Sequence, residues 1–142
     1  MIAELGEQPL VWLIGSSTPC ISLFKPWLFG TAPTAPVFSA GDPMAEAYWL
    51  KREAFHRQAI GRSLPKEFYA ERDILEATWI SAAETVDETG FVGLSSLAIV
   101  EEEAFYYRWI GQLNSLPATG KRSFHRYWRR KNAKLGSWKK IT

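Results

Sequence analysis

The stretch that most restricts the fold of this chain is an apolar run, a turn and a second apolar run, packed into residues 10 to 27. Leu10-Val11-Trp12-Leu13-Ile14 is aliphatic, aromatic and β-branched without alternation, the pattern of a strand covered on both faces. Ile21-Ser22-Leu23-Phe24-Lys25 alternates more nearly, and Pro26 is expected to close it because proline cannot donate to a ladder. Gly15-Ser16-Ser17-Thr18-Pro19 between them is turn chemistry: glycine for unusual φ, hydroxyls for local backbone bonds, proline to fix φ. A hairpin from a buried sheet follows, with Ser16, Ser17, Thr18 and Cys20 at its tip. Everything after Asp42 reads as helix, so the expected class is α+β: one N-terminal hairpin and three or four helices.

The same stretch carries a resemblance. Gly15-Ser16-Ser17-Thr18-Pro19-Cys20-Ile21-Ser22-Leu23-Phe24-Lys25-Pro26 resembles the GT-x-x-P-C-x-S-x-FKP segment of the secernin and thiol-dipeptidase family, N-terminal-nucleophile hydrolases related to penicillin V acylase. The likeness extends over roughly residues 10 to 86, taking in Asp42 to Trp49, then Glu53, His56 and Arg57, then a helix ending near Ala83-Glu84. In that family the segment lies late in a much longer chain. The resemblance therefore implies part of a layered αββα fold and an activity on peptide or other linear amide bonds. It also implies a nucleophilic cysteine at the mature amino terminus whose own amine is the base. This sequence opens Met1-Ile2-Ala3-Glu4, and its single cysteine, Cys20, lies within the late segment. The expectation is a C-terminal segment that is inactive alone and supports a separately encoded hydrolase segment, or pairs with copies of itself.

Along the chain, Met1 to Gln8 reads as a polar leader, frayed or at a sheet edge, and Gly30 to Gly41 as a long Pro/Thr/Ala-rich loop. The whole is treated as one domain: residues 1–41 as hairpin and loop, 42–86 as an antiparallel helix pair, 91–142 as a helical region ending in a basic helix. Asp42-Pro43 is a capped helix start, and Met44, Tyr48, Phe55 and Ala59 recur on one face, with Lys51, Arg52 and Arg57 elsewhere. Gly61 is expected to end that helix. After Ser63 and Pro65, the residues Phe68, Leu75, Trp79, Ala82 and Val86 form the cleanest amphipathic stripe. A third helix is expected from Phe91 to Leu113 with Leu94, Leu97, Val100, Ala104 and Tyr107 inward, and a last one from Lys121 to Leu135.

Among polar residues, Ser22 and Lys25 are the candidates for a substrate pocket. A lysine inside a strand must snorkel or meet a carboxylate, since an unpaired buried charge is costly, and a structural ion pair is its plainer role. Cys20 is read as a buried strand cysteine acting as a small hydrophobe; a free thiol titrates near about 8.5 and no base stands beside it in sequence. His56 is expected to decorate the first helix, and Glu101-Glu102-Glu103 to form a solvated helix surface. Two histidines and one cysteine without ligand spacing give no metal site, and no motif for a cofactor occurs.

Charge is strongly divided. Residues 1–103 hold all fifteen acids against seven bases, and residues 104–142 hold ten bases and no acid. Lys121 to Lys131 interleaves bases with Phe124, Tyr127 and Trp128, as single-stranded nucleic-acid grips do. Nucleic acid is nevertheless the less favoured partner, because Phe124 and Trp128 share an apolar face suited to a core and the acidic remainder offers internal partners. The apolar runs are too short for a membrane span of about 20 residues, and a single cysteine suits a reducing cytoplasmic setting. An aromatic content of 14% is more than two strands and a few helices readily hide, which points to cover from another chain or segment.

Overall fold

The computed structural model describes residues 2–4, 9–29 and 42–133. It is α+β: a three-stranded antiparallel sheet of β1 (Ile2–Glu4), β2 (Leu10–Leu13) and β3 (Lys25–Leu28), in the order β1-β2-β3. Four helices follow: α1 (Pro43–Ala59), α2 (Lys66–Ala83), α3 (Glu88–Ile110) and α4 (Arg122–Ala133). The part of the polar leader that is described is therefore an edge strand, pairing Ile2 with Trp12 and Glu4 with Leu10. The loop over Gly30–Gly41 and the end of the last helix at Leu135 lie outside the described residues.

The hairpin is present, but its second strand sits later than expected. Ile21 belongs to a 3-10 turn, Pro19–Ile21, and the strand begins at Lys25 instead of ending there. Pro26 lies inside β3, opposite Trp12. It is tolerated because its carbonyl accepts from Ser95 Oγ of α3 at 2.7 Å, so that residue's backbone faces away from β2 and no ladder donor is missed.

Two helix starts are written locally. The Asp42 carboxylate accepts from Met44 N, with Pro43 at the first position of α1, and the Asp87 carboxylate accepts from Gly90 N, which starts α3 at Glu88, ahead of Phe91. α1 runs to Ala59 and Gly61 lies just beyond it, with no positive φ. Gly61 has a different use: a Cβ there would come within 2.9 Å of the His125 ring, so it admits the close approach of α4. The neighbouring chain pairs with the loop before α4, through Ser63 N to Pro117 O and Thr119 N to Gly61 O.

β3 rests on α3 above all and on α2; α2 packs chiefly on α3, and α1 packs on α3 and equally on the 3-10 turn Leu113–Ser115 that follows it. The expected antiparallel pair α1–α2 is thus a pair of helices that share α3 as their base and meet through the stacked rings of Phe55 and Phe68. Around that stack gather Phe105, Tyr106 and Trp109. Phe68, Leu75, Trp79 and Ala82 of α2, and Val86 just beyond it, all join the core or pack against it.

Of the residues expected inward on α3, Leu94 is buried, but the rest of that stripe faces outward. Phe91, Leu94, Ala98, Glu102, Phe105 and Trp109 are buried, whereas Leu97, Val100 and Tyr107 are 50, 64 and 81% exposed and Ala104 is exposed. Both stripes have helical spacing; the one bearing Phe91, Phe105 and Trp109 removes more apolar area from water and prevails. On α1, Phe55 and Ala59 are buried, but Met44 is exposed and Arg52 is buried. Leu97→Ala and Val100→Ala should therefore shift the unfolding free energy by no more than about 0.5 kcal/mol, while Phe105→Ala should cost about 3 to 5 kcal/mol. Urea titrations of the three variants check this; a large loss at Leu97 or Val100 would refute the orientation of α3.

Candidate functional site

Lys25 was expected to snorkel or find a carboxylate, and it finds one. Its Nζ is ion-paired to Glu102 Oε1, and it also donates to Leu23 O at 3.3 Å. The other oxygen of Glu102 takes the Nε of Arg52 at 2.8 Å, the Nη2 of Arg52, and the Tyr48 hydroxyl at 2.9 Å. Arg52 stacks over the Tyr48 ring and donates from Nη1 to Tyr48 O. Lys25 and Arg52 are each 2% exposed and Glu102 is 0%, so this is a sealed cluster of two cations on one carboxylate. Burial pulls the Lys25 ammonium below its usual pKa, opposed by Glu102. Burial and the nearby Glu102 charge push the Tyr48 phenol up.

Ser22, the second pocket candidate, is also sealed. Its hydroxyl donates to Thr18 O at 2.6 Å, shares a 2.5 Å hydrogen bond with Ser16 Oγ, and lies 3.4 Å from His56 Nε2. The Tyr106 hydroxyl approaches the same imidazole nitrogen at 3.4 Å. His56 is buried in the core and does not decorate the surface of α1. Its Nδ1 has no hydrogen-bond partner, and burial lowers its pKa to about 4. A serine beside a neutral histidine invites comparison with a nucleophile–base pair. Two features oppose that role: the Ser22 proton is directed at a backbone carbonyl, and no carboxylate orients the far side of the ring.

The turn itself is lashed to the helices. Ser17 Oγ donates to Glu53 Oε2 at 2.5 Å, and Arg57 Nε donates to the other oxygen of Glu53. Burial raises the Glu53 pKa, but those two hydrogen bonds and the Arg57 charge outweigh it and hold it below the usual range. Arg72 of α2 donates to Cys20 O at 2.7 Å, and Glu76 accepts from Phe24 N at 2.8 Å. Cys20, expected in a buried strand, is exposed in the Pro19–Ile21 turn, where only its carbonyl is held. The hydroxyls expected merely to close the hairpin thus reach α1 as well.

Each glutamate of the run 101–103 does something different. Glu101 accepts from Trp79 Nε1 at 2.6 Å, Glu102 carries the buried cluster, and Glu103 pairs with Lys51 at the surface. Sequence reading missed Glu102, Arg52, His56 and Tyr106. A usable signal existed for the first: Glu102 stands four residues after Ala98 and three before Phe105, in line with the aromatic stripe.

A cavity of about 320 Å³ between α1 and α3 is walled by Phe55, Tyr106, Tyr107 and Ile110, with Arg52 and the Lys51–Glu103 pair completing its lining. Among the described residues no three of His, Cys, Asp and Glu gather as metal ligands, and no helix is long and apolar enough to cross a membrane. No protein-family model matches the chain, and neither a curated protein nor a solved structure matches it to a significant degree.

Glu102→Gln should destabilise the fold by about 3 to 5 kcal/mol, because it leaves two buried cations without a counter-charge. Lys25→Met should cost clearly less, since Arg52 still satisfies Glu102; equal losses in urea titrations would overturn this account. The His56 pKa also predicts a pH dependence. Between about pH 4 and 6.5 the unfolded chain binds the proton that folded His56 refuses, so stability falls as pH drops through that window, by up to about 3 kcal/mol. In His56→Gln the difference between unfolding free energies at pH 7 and pH 4.5 should shrink accordingly.

Proposed function

We propose that this chain is a bracing C-terminal segment of a secernin-type N-terminal-nucleophile amidase, contributing one layer of an αββα fold and no reacting group of its own. The observation that carries the reading is the fate of the motif residues: Ser22 is engaged by its own turn and by His56 of α1, Lys25 ties β3 to Glu102 of α3, and both are sealed from any substrate. A segment whose polar positions are spent in this way acts as scaffold. The reacting thiol and its amine would come from a catalytic segment that this one supports, in the cytoplasm.

The uncovered stripe of Leu97, Val100 and Tyr107 supports the same reading, because such a surface suits a chain completed by other polypeptide. The enclosed Lys25–Glu102–Arg52 cluster supports it differently, holding β3 in a fixed register as a sheet layer requires.

The test is reconstitution. Co-expression with the catalytic segment of a secernin-type thiol dipeptidase, cut before its own late motif, should yield a complex that hydrolyses dipeptides, with neither piece active alone. Glu102→Gln in this chain should lower the yield of that complex. A pair that neither associates nor gains activity would refute the proposal.

A further inference from the structure

We propose that the outward face of α4 binds single-stranded nucleic acid, its arginines holding phosphates while Tyr127 offers a ring to a base. The inference is independent of the amidase reading. It starts from a run of bases that form no salt bridge among the described residues. Lys121, Arg122, Arg126, Arg129, Arg130 and Lys131 lie within eleven residues, and all are exposed. Every salt bridge among the described residues involves other bases: Lys25, Lys51, Arg52, Arg57, Arg72 and Arg108. No acid among the described residues is therefore ion-paired to this helix.

The helix has one side already in use. His125 sits against Gly61, Arg57 lies over the Trp128 ring at 5.4 Å, and Arg57 Nη1 reaches Asn132 Oδ1 at 3.5 Å. Phe124, His125, Trp128 and Asn132 make this seam and are all half-buried. Arg122, Arg126, Arg129 and Arg130 recur at i, i+4, i+7 and i+8, one stripe turned away from it. Four guanidinium groups along one helix face form a row of bidentate phosphate donors, about 6 Å apart for each four residues.

Rings separate nucleic acid from other polyanions. Tyr127 is 52% exposed at the border of the arginine stripe, with Lys131 Nζ 5.4 Å from its ring centre. Beside it lies an open cavity of about 500 Å³ lined by Tyr127, Phe124, Lys121 and Ile60. A base stacked on an exposed tyrosine, next to cations, is the arrangement of sequence-tolerant single-strand grips. A membrane-surface helix would bury its apolar side in lipid, but here that side is seated on α1. An acidic protein would use the arginines and leave Tyr127 idle.

The experiment is a fluorescence-anisotropy titration of the full chain with a labelled twelve-nucleotide oligouridylate at several salt concentrations. Binding should weaken with salt along a log–log slope near about −3, as expected for four phosphate contacts on a single strand. Arg126→Ala with Arg129→Ala should flatten that slope by about 1.4. Tyr127→Ala should weaken oligonucleotide binding by roughly 5- to 100-fold at an unchanged slope, without altering binding to heparin. All three side chains are exposed, so the melting temperature reports whether the fold is intact. A flat salt response would overturn the proposal. So would an equal effect of Tyr127→Ala on heparin, or tighter binding to polyglutamate or to anionic phospholipid vesicles than to the oligonucleotide.

Discussion

The Glu102 carboxylate joins three elements that share no sequence neighbourhood. It draws Lys25 from β3 and Arg52 and Tyr48 from α1 onto the inward face of α3. Taking three charges from water costs several kcal/mol each, and only close contact and complete hydrogen bonding offset that cost. The arrangement is therefore better understood as a lock on geometry than as a store of stability. A one-residue slip of β3 would turn Lys25 to the other face and leave a charge imbalance in the core. Any displacement of α1 along α3 would do the same through Arg52. Apolar packing alone, around the Phe55–Phe68–Phe105 rings, tolerates such slips far better.

The turn between β2 and β3 extends that lock. Its hydroxyls and amides are tied to α1 through Ser17 and Glu53, to α2 through Phe24 and Glu76, and to the core through Ser22 and His56. A strap held this way has little freedom to open. The neutral imidazole at its centre works in the same sense: with His56 kept unprotonated by burial, no further charge competes for Glu102. The cluster has the residue types of a catalytic centre, yet its bonds are directed into the protein.

Much of the fold was legible because it rests on local signals. The cap at Asp42 acts within two residues, and the stripe of α2 has no rival on that helix, whereas the cap at Asp87, in a stretch that reads as a break, went unread. The need of Lys25 for a carboxylate could be read from its neighbours alone. What stayed hidden depends on contacts distant in sequence. Glu102 looks like one of three solvated acids until Lys25 and Arg52 arrive from 77 and 50 residues away. α3 offers two apolar stripes of equal period, and only the rings of α1 and α2 decide between them. Pro26 looks like a strand terminator unless Ser95 stands ready to take its carbonyl. The exposed Cys20 follows from the same shift of β3, since the residues before Lys25 curl into a turn instead of entering the sheet.

The division of charge along the sequence has a structural counterpart. The acids that form salt bridges find their bases before residue 109: Glu53 with Arg57, Glu71 with Arg108, Asp73 with Arg72, Glu103 with Lys51 and Glu102 with its two cations. Among the described residues, no salt bridge reaches α4. Five bases on α4, with Lys121 just ahead of it, repel one another over distances of the order of the ~8 Å screening length at physiological salt, and counter-ions or a polyanion relieve that repulsion. The helix keeps its place through an aromatic seam on α1, not through ion pairs, so its charge can be neutralised by a ligand without disturbing the fold beneath.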